Sequence, residues 1–140
     1  MYTLLGMIDL LGLALRWIHI ASMATLLGGV IFWRLVLARA GEDDARGAFT
    51  ERIAAAFRPL VLLSIAGLIF SGIINYLSAP GHTKLYHMMF GIKLLLALHV
   101  FAVAILMVRP NNPRRVRMAT GTMISGLIIL LISAWLRRNF

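Results

Sequence analysis

Four long apolar runs, separated by shorter polar stretches, dominate the chain: residues 17–37, 59–79, 88–108 and 118–136. Each run can cross a hydrocarbon core of about 30 Å as a helix that rises about 1.5 Å per residue. The pattern therefore predicts an all-α integral membrane four-helix bundle, in which residues 1–140 form a single transmembrane domain.

Composition agrees with a bilayer as the solvent, since 61% of the 140 residues are hydrophobic and 14% are charged. The chain has no cysteine, which excludes disulfides, thiolate metal sites and iron–sulfur clusters. The apolar N-terminal segment lacks a basic start and a small-residue cleavage pattern. We therefore expect a mature, interfacial start to helix 1 rather than a removed signal peptide.

Most of the basic residues behind the net charge of +9 lie between the apolar runs, so they do not form one face of a soluble domain. Arginines crowd residues 39–58 and 109–117, whereas the connection between the second and third runs has only Lys84. The positive-inside rule then predicts that both arginine-rich stretches are cytoplasmic, that both termini face outward and that the protein lies in the inner cell membrane. The expected partner of this charge is the lipid bilayer, and no nucleic-acid partner is expected.

The polar stretch 39–58 is expected to be a cytoplasmic loop. Its apolar positions from Ala45 to Phe57 recur at helical spacing, which predicts a short helix that lies on the membrane surface or extends the second span. Pro59 suits the first turn of that span or a break before it.

One polar group in each run falls at a similar depth, roughly 7–10 Å to the outer side of the span midpoint. These groups are His19, Asn75, Lys93 and Ser133, and Arg16, Tyr76, Tyr86 and His87 lie just above them. Such a layer predicts a ligand or cofactor pocket that opens towards the outer face. The alternative is that these groups only form hydrogen bonds between helices, as structural glue.

Lys93 is the hardest of these residues to explain as glue, because no span contains an acidic partner for it. A buried ammonium without a carboxylate needs an anion from elsewhere or must lose its proton. Propionates or phosphates of a ligand would supply that anion.

Histidine is a common axial ligand to haem iron and a common ligand to copper. His87, Lys93 and His99 point about 120° apart around one helix, so they cannot all face one pocket. By depth we prefer His19 with His87 as metal ligands, with His99 as the second choice. Copper stays an alternative because the chain has 8 Met and 4 His, with Met23 one turn below His19.

Two segments resemble a known group of small four-span membrane proteins. The first is Arg16-Trp17-Ile18-His19-Ile20 with Gly28-Gly29, Phe32 and Arg34-Leu35, and the second is Gly91-Ile92-Lys93-Leu94-Leu95. They resemble the CopD-like and HemJ-like group, which includes the oxygen-independent type of protoporphyrinogen oxidase. The resemblance implies that haem b is the cofactor, that His19 is a haem ligand, and that Lys93 and Arg34 are functionally required, which makes them the candidate catalytic residues.

Three hypotheses stay open at this stage. The first is a haem b redox protein that oxidises a porphyrinogen-like substrate or passes electrons to quinone. The second is a copper-handling transport component, and the third is a structural membrane subunit. Small residues on spans 2 and 4 predict close helix approach, room for a cofactor, or a homodimer. The residues expected to bind the cofactor are His19, His87, His99, Arg16, Lys93, Asn75 and Tyr76.

Overall fold

The computed structural model describes residues 2–39, 44–78 and 83–139. Its elements are four helices and one short 3-10 turn, and the described part of the chain contains no strand. The helices are α1 Tyr2–Leu35, α2 Asp44–Leu77, α3 Lys84–Met107 and α4 Arg115–Asn139, and the turn is Leu37–Arg39. The predicted all-α four-helix architecture is confirmed.

Each helix contains a segment that is long and apolar enough to cross a membrane: Leu10–Leu35, Gly47–Leu77, Lys84–Met107 and Arg115–Arg138. Large apolar side chains are exposed along all four helices. In water such a surface would be costly, whereas lipid tails accept it. The chain is a multi-pass membrane protein.

From Asp44 onward, the stretch 39–58 is helical and continuous with the second span, so of the two alternatives predicted for its helix, the extension of that span is the one found. Residues 40–43 of the predicted loop lie outside the described residues. Pro59 lies inside α2, not at its first turn. The Gly47–Leu77 segment is 31 residues long, or about 46 Å at about 1.5 Å per residue, which is more than the hydrocarbon core needs.

Buried and partly buried residues recur every three or four positions along each helix, at the spacing of left-handed helix bundles. We call these sets the inward stripes. They are Leu15, His19, Ser22, Leu26, Val30 and Trp33 on α1; Ala54, Phe57, Val61, Ser64, Leu68, Ser71 and Asn75 on α2; Tyr86, Phe90, Lys93, Ala97, Val100, Ala104 and Met107 on α3; and Arg115, Ala119, Thr122, Gly126, Ile129, Ser133 and Leu136 on α4.

The helices form a ring in chain order. The most extensive contacts are between α1 and α2 and between α3 and α4, with further contacts between α1 and α4 and a smaller set between α2 and α3. The helices α1 and α3 therefore lie on a diagonal of the bundle. We call the end where α2 finishes and α3 starts the outer end, and the end where α1 finishes and α4 starts the inner end.

Glycines on α2 and α4 serve contacts within the chain. A Cβ atom on Gly67 would collide with the Ser22 hydroxyl of α1, and one on Gly126 would lie 2.6 Å from Leu27 Cδ1. Both glycines let α1 approach a neighbouring helix closely. These small residues are thus used inside one bundle, and the homodimer stays a prediction.

Candidate functional site

Lys93 is the polar residue on the inward stripe of α3. Tyr86 and Phe90 precede it on that stripe towards the outer end, and Val100, Ala104 and Met107 follow it towards the inner end. His87 and His99 are each one position off the stripe, and both are exposed. Of the three α3 candidates that point in different directions, the structure directs Lys93 into the bundle.

His19 lies on the facing stripe of α1 and joins α2 through a chain of two hydrogen bonds. Its Nδ1 is 2.9 Å from Ser71 Oγ, and the Ser71 hydroxyl donates to the Gly67 carbonyl at 2.6 Å. Because the single hydroxyl proton of Ser71 is used on that carbonyl, its oxygen accepts from the imidazole. A neutral His19 then carries its one ring proton on Nδ1, which leaves the lone pair on Nε2.

His19 and Lys93 are on the inward stripes of α1 and α3, the two helices that lie on the bundle diagonal. Lys93 is partly buried. Among the residues that the structure describes, Lys93 takes part in no hydrogen bond or ion pair. The two facing stripes thus carry one imidazole on α1 and, on α3, one cation that lacks a counter-charge among the described residues.

The remaining members of the predicted polar layer are also on inward stripes. Asn75 follows Ser71 by one turn on α2 and is partly buried. Ser133 is partly buried on α4, and its hydroxyl donates to the Ile129 carbonyl at 2.7 Å. Asn75 therefore lies above the His19–Ser71 pair towards the outer end, whereas the hydroxyl proton of Ser133 is used within its own helix.

Aromatic rings join α2 to α3 above Lys93. Tyr76 stacks on Phe90 with ring centroids 4.5 Å apart, and Phe90 stacks on Tyr86 at 6.1 Å. The Tyr76 hydroxyl is 3.4 Å from His87 Nδ1, so His87 joins the outer surface of this cluster rather than the His19 site. The stacked rings lie on the outer side of Lys93 along α3.

The two predicted arginines lie apart from each other. Arg16 is exposed, three positions before His19 and nearer the outer end. Arg34 follows His19 by fifteen positions, about 22 Å along the helix, and its Nε donates to Thr120 Oγ1 at 2.7 Å near the inner end. The structure does not bring the two candidate catalytic residues, Arg34 and Lys93, together.

In the described part of the chain, no three His, Asp or Glu side chains converge to hold a metal ion. His99 is exposed and has no hydrogen-bond partner among the described residues. Met23 is partly buried one turn from His19. His19 is therefore the one histidine on the four inward stripes of the described residues.

Comparison with known proteins adds no relative. No protein-family model matches the chain, and neither a curated protein nor a solved structure is similar to it. The resemblance to the CopD-like and HemJ-like group stays a prediction from the two sequence segments.

Sequence reasoning missed Ser71 and Phe90. Ser71 is fully buried and orients His19, and Phe90 links the two tyrosines. Both could have been found from spacing, because Ser71 is seven positions after Ser64 and Phe90 three before Lys93, on the stripes of their helices.

Proposed function

We propose that this chain is a haem b protein of the inner membrane, with both termini outward, and that the haem lies in the outer half of the bundle. His19 Nε2 is the iron ligand, and Lys93 neutralises a propionate. The observation that carries this proposal is the hydrogen-bond chain His19–Ser71–Gly67, because it leaves Nε2 unprotonated and aimed away from its bonded neighbour.

The residues present fit the group in two independent ways. Histidines that bind metals almost always donate their other ring N–H to an acceptor, which fixes the ring and its tautomer, and Ser71 is such an acceptor. An anionic porphyrin side chain would supply the counter-charge that Lys93 lacks. A bare copper ion has the opposite requirement, since the nearby ammonium repels it.

Each residue then has one role. His19 would bind the haem iron, Ser71 orients the His19 ring, and Lys93 would hold a propionate of the haem. The rings of Tyr76, Phe90 and Tyr86 exclude water from the outer side. When bound, haem b would supply one-electron redox chemistry, and the inward stripe of α3 offers no histidine as a second ligand to it. Iron without a second protein ligand would favour catalysis, and the candidate substrates are a porphyrinogen-like molecule and quinone.

The test is a visible difference spectrum, dithionite-reduced minus air-oxidised, of protein expressed with an adequate haem supply and purified in detergent. The wild type should show the reduced-minus-oxidised absorption bands of a protein-bound b-type haem, and His19→Ala should lose them. His87→Ala and His99→Ala are matched controls, because both remove an exposed imidazole from α3. Both controls should keep the bands.

Carbon monoxide added to the reduced protein tests the open axial position. A shifted spectrum is expected, since a five-coordinate iron binds this gas readily. Bands that survive in His19→Ala would contradict the assignment of the ligand. A colourless wild type that binds copper would replace the haem proposal with metal handling, and a colourless wild type that binds neither would leave the structural role.

A further inference from the structure

A second polar group lies at the inner end, on the seam between α1 and α4. Arg34 donates from Nε to Thr120 Oγ1, and the Thr120 hydroxyl donates to the Val116 carbonyl at 3.0 Å. The hydroxyl proton of Thr120 is thus already used, whereas the two terminal nitrogens of the Arg34 guanidinium have no hydrogen-bond partner among the described residues. The Arg34 guanidinium group is oriented by one hydrogen bond, and its terminal N–H groups stay available as donors.

More positive charge lies on the same side of α4. Arg117 precedes Thr120 by three positions, and side chains at this spacing share a helix face. Arg117 is exposed. Glu51, the acidic residue whose side chain is described near this end, is already bonded to Arg115. The seam therefore has two guanidinium groups and lacks a carboxylate of its own in the described part of the chain.

Below these arginines the surface of α4 is apolar and exposed. Counting from Thr120 towards the middle of the bundle, the same face of α4 presents Ile124, Leu127, Ile128 and Leu131, all exposed. A cationic fork above a continuous apolar strip matches a molecule with an anionic head and long hydrocarbon tails.

We propose that Arg34 and Arg117 bind the phosphate of an anionic phospholipid in the leaflet at the inner end, with an acyl chain along the Ile124–Leu131 strip. Guanidinium groups match phosphate oxygens with two parallel hydrogen bonds, and basic pockets between helices recognise anionic lipid headgroups. Thr120 is a positioning residue, because it holds Arg34 Nε. This site is separate from the haem proposal, being about 22 Å from His19 along α1.

The experiment measures lipid binding by native mass spectrometry of the full chain, released from detergent with phosphatidylglycerol or with phosphatidylcholine. The wild type should retain phosphatidylglycerol in preference. Arg34→Gln and Arg117→Gln should each reduce its affinity about fivefold, in line with the worth of one basic residue near an anionic lipid surface. Arg52→Gln and Arg58→Gln are the matched controls, because both remove an exposed charge from α2 near the same end.

Arg117→Gln leaves the Arg34–Thr120 bond intact, so this variant keeps the test valid if Arg34→Gln fails to fold. Equal losses in Arg58→Gln and Arg117→Gln would overturn the proposal in favour of diffuse surface charge. Equal retention of the two lipids would overturn it as well. Inorganic phosphate that displaces phosphatidylglycerol would show that the site takes free phosphate rather than a lipid.

Discussion

The inward stripes carry two Lys or Arg side chains, Arg115 near the inner end and Lys93 in the outer half, and the bundle treats them in opposite ways. Arg115 near the inner end donates to both carboxylate oxygens of Glu51, at 2.7 and 3.1 Å, and to two backbone carbonyls, those of Met107 at 2.9 Å and Arg109 at 2.7 Å. Its guanidinium also lies 5.3 Å from the ring centroid of Trp33. Lys93, in the outer half, has no such partner among the described residues.

The difference separates a structural charge from a binding charge. The contacts of Arg115 involve all four helices, because Trp33 is on α1, Glu51 on α2, and the Met107 carbonyl ends α3. A cation at the C-terminal end of α3 also interacts favourably with the helix dipole. A cation with this many partners, such as Arg115, needs no ligand. A buried cation without a partner, such as Lys93, lowers the stability of the protein until an anion binds to it, and this unmet requirement is typical of a ligand site.

The largest expected effect comes from removing the paired cation. Arg115→Gln should lower the free energy of unfolding by about 2–4 kcal/mol, because it leaves Glu51 and two carbonyls without their donor. The side chain of Arg115 is 7% exposed and that of Glu51 is 36% exposed, so part of the cost is screened by solvent. Chemical unfolding in mixed micelles measures the change.

Arg114→Gln is the control for this measurement, since it removes the same charge from an exposed neighbouring position. It should change the unfolding free energy by less than about 0.5 kcal/mol. Equal destabilisation by the two variants would mean that the inner end depends on total positive charge, and the contrast with Lys93 would then lose its basis.

Replacing the unpaired cation, Lys93, should change the free energy of unfolding in the opposite direction. Lys93→Met keeps much of the side-chain volume and removes an ammonium that the bundle desolvates without pairing, so the ligand-free protein should gain about 2 kcal/mol. Its affinity for haem should fall. Lys84→Met is the control at an exposed position on the same helix, and it should change neither quantity. A destabilised Lys93→Met protein would show that Lys93 already has its partner.

Hydropathy alone was sufficient to predict the four membrane-spanning helices, because each span's affinity for lipid depends on its own composition. The structure of the stretch 39–58 was harder to predict. Glu51 lies in the part of α2 that precedes the predicted span, and its partner Arg115 is 64 positions further along the chain. Such a pairing leaves no local pattern. For the same reason Arg115 was counted only as a topological charge in the sequence, although it is the best-bonded cation at the inner end.

The four residues that were grouped by depth along the helix axis, His19, Asn75, Lys93 and Ser133, are all on inward stripes. Depth contains no information about which way a side chain points, and this is why His87 was preferred as the partner of His19. The stripe spacing from Tyr86 through Phe90 to Lys93 contains the missing information, because it puts His87 one position off the face that enters the bundle.

The smallest expected effect concerns the residue that links the ligand candidate to α2. Ser71→Ala removes the acceptor of the His19 Nδ1 proton, so the ring loses its fixed orientation, and haem affinity should fall about tenfold. Ser133→Ala is a matched control, because Ser133 also donates its hydroxyl to the carbonyl four positions earlier, yet no imidazole bonds it in the described part of the chain. Haemin titration of the two variants measures the difference. Equal losses of haem affinity in the two variants would mean that the serine hydroxyls serve helix packing alone. The outer half would then differ from the inner end only because Lys93, unlike Arg115, has no counter-charge.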